Sequence, residues 1–238
     1  MRIVCVKHGH GPDDDRVVTW CALNGVTADI RRPFAGQSIG EFDEDVGGVV
    51  FYGGMQNAYD TELHPSLNIE YDFMDKALKA NVPVLGICQG AQMIAHHMGA
   101  FAGAAENGMT EFGYYEIRPT DEGRDIFPQP LHVSQWHFHR FDIPAGAKHL
   151  ARSAHCDQQA FSVGDTVLAV QFHPENTIET MRRWQARASA EDWAKPGVQP
   201  LAAQREAMLL HDEAQAKWFY GALDRLFGSA RSTAKAAE

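Results

Sequence analysis

Cysteine is scarce in this chain of 238 residues: Cys5, Cys21, Cys88 and Cys156 are the whole supply, and no two form a C-x-x-C pair. That spacing excludes a disulfide framework and a thiolate metal site, and it fits reduced thiols. Long apolar runs are also missing, and none approaches the roughly 18 residues needed to cross a bilayer. The opening stretch MRIVCVKHGHGPDDD turns polar too soon for a secretory signal. The expected location is therefore cytoplasmic. Positive charge is in deficit: 21 Lys and Arg against 31 Asp and Glu give a net charge of −10. An acidic surface disfavours phosphate backbones and anionic headgroups, so no nucleic-acid or membrane partner is expected. Repeats and low-complexity blocks are absent. What remains is 45% hydrophobic and 22% charged, ordinary globular composition.

The first half alternates strand and helix signals. Strands are expected over 2–7, 27–31, 46–52 and 82–87, and helices over 17–24, 67–80 and 89–98. The short run VPVLGI is wholly apolar, as in a sheet covered on both faces. This alternation implies right-handed crossovers and a mostly parallel central sheet with helices on both faces. The second half is richer in strand signals, over 114–118, 132–136, 160–163 and 167–172, and the last two join through a hairpin turn at Gly164-Asp165. These add a smaller antiparallel region. Helices follow over 176–188 and 205–227, separated by a loop, SAEDWAKPGVQP. One α/β domain over 1–228 is expected, with a frayed tail over 229–238.

The most informative stretch is VPVLGICQGAQMIA. A buried strand ends at Ile87, Cys88 occupies the corner, and a helix starts at once, with Gly86 and Gly90 two residues either side. This is a nucleophile elbow with Cys in place of Ser. It exposes the sulfur at the C-terminal edge of a parallel sheet, beside a helix N-terminus that favours thiolate. A small buried cysteine in a glycine-rich turn would read alike, so the elbow needs a base. The stretch VLAVQFHPE supplies one. Pro174 biases His173 toward an extended conformation, and in extended chain residues i and i+2 point the same way. Glu175 can then orient one imidazole nitrogen while the other faces a thiol.

With both motifs in hand, the chain resembles the class I, triad-type glutamine amidotransferases. It is similar in particular to stand-alone proteins related to the glutaminase domain of GMP synthase. The resemblance covers nearly the whole chain and is carried by FYGGMQNAYD, VPVLGICQGAQMIAHHMGA, EFGYYEIRPTDEG, SQWHFHRFDIP and VLAVQFHPE. It implies a flavodoxin-like three-layer fold. It implies Cys88 as nucleophile, His173 as general base and acid, and Glu175 as orienter. Backbone N–H groups of Gly54 and Gln89 would form the oxyanion hole. Gly53, Gln92 and the backbone around His137 and Phe138 would hold the substrate. No metal or organic cofactor is implied. The remaining cysteines read as packing residues. Three positions depart from the family pattern: Met55 stands where proline is common, Gln89 where an apolar residue is usual, and Phe138-His139 where glycine and aspartate usually follow.

Twelve histidines invite a metal reading, yet His8, His10, His96, His97, His132, His137 and His139 show no recognised metal spacing. The HGHGPDDD loop follows the first strand and so borders the site; its glycine spacing and three acids exclude a phosphate cradle. Trp184, Trp193 and Trp218 read as core. Three functions follow. The chain is a self-contained hydrolase of glutamine or a γ-glutamyl compound, or a glutaminase subunit delivering ammonia to a separate synthase partner, or an idle binding module. The intact Cys88, His173 and Glu175 weigh against the last.

Overall fold

The computed structural model describes residues 1–106 and 108–235, with side chains to Gly228; the tail expected over 229–238 lies beyond the described side chains. The strands are β1 (Arg2–His8), β2 (Thr27–Arg31), β3 (Val46–Gly54), β4 (Val84–Ile87), β5 (Ala102–Ala104) and β6 (Glu111–Pro119). They continue as β7 (Leu131–His137), β8 (His139–Phe141), β9 (Lys148–Ser153), β10 (Ala160–Val163) and β11 (Val167–Val170). The helices are α1 (Arg16–Leu23), α2 (Ser66–Lys79), α3 (Gln89–His97), α4 (Ile178–Arg187), α5 (Ala190–Ala194) and α6 (Leu201–Lys235).

A nine-stranded sheet runs in the order β2-β1-β3-β4-β11-β10-β9-β6-β7. From β2 to β11 every neighbour is parallel. The hairpin at Gly164-Asp165 reverses direction, and from β10 outward each pair is antiparallel. Alternation along the central strands feeds two cores. Ile3 and Cys5 of β1 join Val50 and Tyr52 of β3 and Leu85 and Ile87 of β4 on the face covered by α1 and α6. Val4 and Val6 join Val49, Phe51 and Val84 on the face covered by α2 and α3. Period-2 side chains that are apolar at both parities are the signature of a sheet buried on both sides. A third cluster of Phe112, Tyr114, Met181 and Met208 packs β6 against α4 and α6.

The structure departs from the sequence reading in four places. The stretch 189–200, expected as a loop, contains α5, started by a capping box in which Ser189 Oγ accepts from the Asp192 N–H and the Asp192 carboxylate accepts from the Ser189 N–H. A second, two-stranded antiparallel sheet pairs β5 with β8. Strand β9, also unexpected, bridges β10 to β6. Helix α6 runs Leu201–Lys235, overrunning the expected 205–227 at both ends and carrying helical backbone into the stretch expected to fray. No described helix is long and apolar enough to cross a membrane.

Candidate active site

Cys88 stands between β4 and α3 with φ 51° and ψ −107°. Such a conformation costs a non-glycine residue about 1–3 kcal/mol and persists only where its surroundings over-determine it. Here they do. The Cys88 N–H donates to Val170 O at 2.8 Å, and its carbonyl accepts from the Gln92 N–H at 3.0 Å. At Gly90 a Cβ would lie 2.0 Å from Phe51 O. Only glycine lets α3 descend onto β3 this closely. The sulfur receives the Gln171 side-chain N–H at 3.6 Å and lies 4.0 Å from Trp136 O.

Beyond β11 the chain bends at Gln171 and Phe172, and Pro174 and Glu175 form a turn in which the Asn176 N–H donates to His173 O at 3.3 Å. The His173 N–H donates to Ser134 O at 2.8 Å, and Ser134 Oγ donates back to His173 O at 2.6 Å. This clamp aims the imidazole. Its Nδ1 meets Glu175 Oε1 at 2.8 Å, so the expected pair is present, but it is made across this turn and not along the extended segment that the i, i+2 argument assumed. Burial alone would push this imidazole down. The Glu175 carboxylate and the Cys88 sulfur outweigh burial and raise it to about 10. The edge-on Trp184 ring backs it, with ring centroids 4.7 Å apart.

The glycine turn closing β3 lies against the same groups. A Cβ on Gly53 would stand 2.5 Å from His173 Cε1 and 3.4 Å from Cys88 Cβ. One on Gly54 would meet Gln89 Oε1 at 2.3 Å and His8 Cβ at 2.4 Å. A cavity of about 510 Å³ brings Gly53, Gly54, Cys88, Gln92, His137, Phe138, His173 and Glu175 to one surface. Gln89 is buried, with its side chain directed to Gln56 and Met93; its N–H opens α3 beside Cys88. Gln92 reaches His139 O and Gln171. Met55, at the first departure from the family pattern, is 82% exposed.

The HGHGPDDD loop does border the cavity, through His8 to Pro12, Asp14 and Asp15. Two buried pairs, one behind this loop and one between β6 and β7, escaped the sequence reading. His8 Nε2 meets Glu70 Oε2 at 2.6 Å behind Gly54, while its Nδ1 faces Tyr52 O. His137 Nε2 meets Glu111 Oε2 at 2.8 Å, while its Nδ1 faces His139 O. The signal for the second pair was the β6–β7 register, which places Glu111 opposite His137. His132 stacks on His211 instead of joining these groups. Among the described residues no group of three His, Cys, Asp or Glu side chains is arranged to hold a metal ion. The other cysteines are unbridged and buried, and burial pushes the Cys21 and Cys156 thiols up to about 12. Such thiols are inert packing groups.

Comparison with known proteins gives the family. The family model for glutamine amidotransferase class-I matches residues 22–187. The glutamine amidotransferase-like protein YfeJ of Salmonella typhimurium is 29% identical over 189 residues, which cover 76% of this chain and 78% of YfeJ. One subunit of the glutamine-hydrolysing GMP synthase of Thermococcus kodakarensis is 42% identical over 100 residues, covering 40% of this chain and 52% of that protein. A glutamine amidotransferase crystal structure from Thermotoga maritima has a TM-score of 0.84 at 27% identity, covering 95% of this chain and 98% of that one. One from Methylobacillus flagellatus, at 22% identity, shares the fold with a TM-score of 0.87 over 94% of this chain and 93% of that one. The family match spans most of the sequence and includes both the strand–cysteine–helix elbow and the His-Pro-Glu segment: the chain belongs to the class-I glutamine amidotransferase family.

Proposed function

We propose that the chain hydrolyses the side-chain carboxamide of glutamine, or the amide of a γ-glutamyl compound, through a thioester on Cys88. The observation that carries this reading is a cysteine held at positive φ in one cavity with a buried, hydrogen-bonded His173–Glu175 pair. The sulfur attacks the amide carbon, and the resulting oxyanion points to the N–H groups of Gly54 and Gln89. Each such donor is worth about 3 kcal/mol in the transition state. His173 gives its proton to the departing nitrogen as the C–N bond breaks. It then takes a proton from water as water attacks the thioester, releasing glutamate and restoring the thiol. Glu175 fixes the ring orientation throughout. Likeness to the GMP synthase subunit from Thermococcus kodakarensis supports a second reading, in which the ammonia passes to a separate synthase.

Ammonia release from glutamine by the purified chain, together with acid-quenched intact mass, tests the proposal. A γ-glutamyl adduct on the wild-type chain, absent from Cys88→Ala, is expected. Turnover by Cys88→Ala at the wild-type rate refutes it. Release that appears only when a synthase is added selects the second reading.

A further inference from the structure

We propose that the substrate is a γ-glutamyl amide whose leaving amine has an apolar or aromatic body ending in a carboxylate, with Arg187 reading that carboxylate. This rests on the hydrolytic reading of Cys88 and His173 and adds the substrate's other half.

The cavity is the first observation. Its 510 Å³ falls within the roughly 300–1,000 Å³ of pockets that enclose ligands well beyond a single amino acid. Glutamine alone leaves much of it empty.

The direction of the surplus space follows from the chemistry. The leaving nitrogen must face the proton on His173, so the wall beside His173 is the wall beside the leaving group. That wall is α4, through the edge-on contact of Trp184 with the imidazole. Thr180, Arg183, Trp184 and Arg187 all line the cavity. Their spacing of i, i+3, i+4 and i+7 makes one helical stripe about 10 Å long. Beside it lie the apolar surfaces of Trp136 and Phe138, and Phe138 remains 39% exposed. An apolar leaving group would cover them.

Charge along the cavity decides the far end. Lys7 is held by Asp13 and Asp15 at 2.7 Å each. Arg183 is bidentate to Asp14. Lys195 bonds Asp192 at 2.9 Å and lies over the Phe138 ring. Glu175 is engaged by His173. Arg187 is exposed, and among the described residues no carboxylate pairs with it. An unpaired guanidinium lining an aromatic-walled cavity is suited to a bidentate carboxylate.

The test compares kcat/KM for γ-glutamylphenylalanine, γ-glutamylphenethylamide (the same amide without its carboxylate) and glutamine. The wild-type chain is expected to favour the first over the second about tenfold, the lower end for a hydrogen bond to a charged group. In Arg187→Gln that ratio falls toward one. In Arg187→Glu preference moves to a γ-glutamyl amide of a diamine, a gain that a misfolded variant cannot show. Equal kcat/KM for the two amides in the wild type, or glutamine preferred to both, overturns the proposal. If glutamine still forms the Cys88 adduct in that case, only the leaving-group assignment falls. If no substrate forms an adduct, the hydrolytic reading falls with it.

Discussion

Gly53→Ala adds one methyl group at the point where the turn closing β3, the imidazole and the cysteine converge. The new Cβ would lie 2.5 Å from His173 Cε1. Ordinary carbon contacts begin near 3.5 Å, so the two groups must separate by about 1 Å. The 3.4 Å to Cys88 Cβ offers little relief on the other side. The ring cannot retreat freely, because Nδ1 is bonded to Glu175 and Trp184 stands behind it. Displacement of a reacting group by about 1 Å costs roughly 100-fold in rate, whereas overpacking costs about 1–3 kcal/mol of stability. The expected outcome is a kcat for ammonia release lowered about 100-fold, with KM changed far less, in a chain that still unfolds cooperatively in urea. A Gly53→Ala chain with activity within a few-fold of wild type refutes the convergence of these three groups.

Two of the glutamates that face histidines, Glu175 and Glu111, set opposite limbs of the pH dependence. The His173 imidazole is raised to about 10, so its pairing contributes fully below the ordinary histidine value near 6.5 and is lost as pH climbs through 10. Thermal unfolding of Glu175→Gln across pH 6–11 should lack that alkaline limb, and its hydrolysis should fall steeply; a profile parallel to wild type rejects the pairing. Burial alone would raise the Glu111 carboxyl, but hydrogen bonds from His137, Ser153 and Gln159 outweigh burial and hold it below the usual range. Its contribution is therefore present above pH about 4.3 and lost on further acidification. Glu111→Gln turns an amide N–H toward one of those donors, so urea titration at pH 7 should show a loss of about 1–3 kcal/mol. An unchanged midpoint contradicts the network.

The parallel half of the fold was readable because its strands carry their own signal. Val84–Ile87 is buried at every position, and a chain with no polar parity has to lie between two layers. The elbow was readable only in combination, since a cysteine between glycines at a strand–helix junction could equally be packing until the His173-Pro174-Glu175 segment supplies a base. Strands β5 and β8 were not readable. Ala102–Ala104 and His139–Phe141 are three residues each, and they exist through mutual backbone pairing that neither segment announces. Helix α5 hid ahead of two prolines and a glycine, although the Ser189…Asp192 spacing of its capping box was present. The His8–Glu70 and His137–Glu111 pairs join residues that are 62 and 26 positions apart, and only the folded registers bring them together. Arg187 stood out only once its neighbours Lys7, Arg183 and Lys195 proved to be matched with acids.

Strand β1 is apolar on both sides, and that removes a safeguard most strands possess. Where one face is wet, a slip by a single residue drives oily groups into solvent and is rejected. A slipped β1 would merely trade Ile3 and Cys5 for Val4 and Val6 between two equally dry layers. The misalignment is penalised instead at the strand's last two residues. Lys7 would leave the paired acids of the following loop, and His8 would abandon Glu70. The polar groups that ring the cavity thus also serve as alignment pins during folding, so a substitution at Lys7 or His8 should misthread the sheet as well as disturb the chemistry.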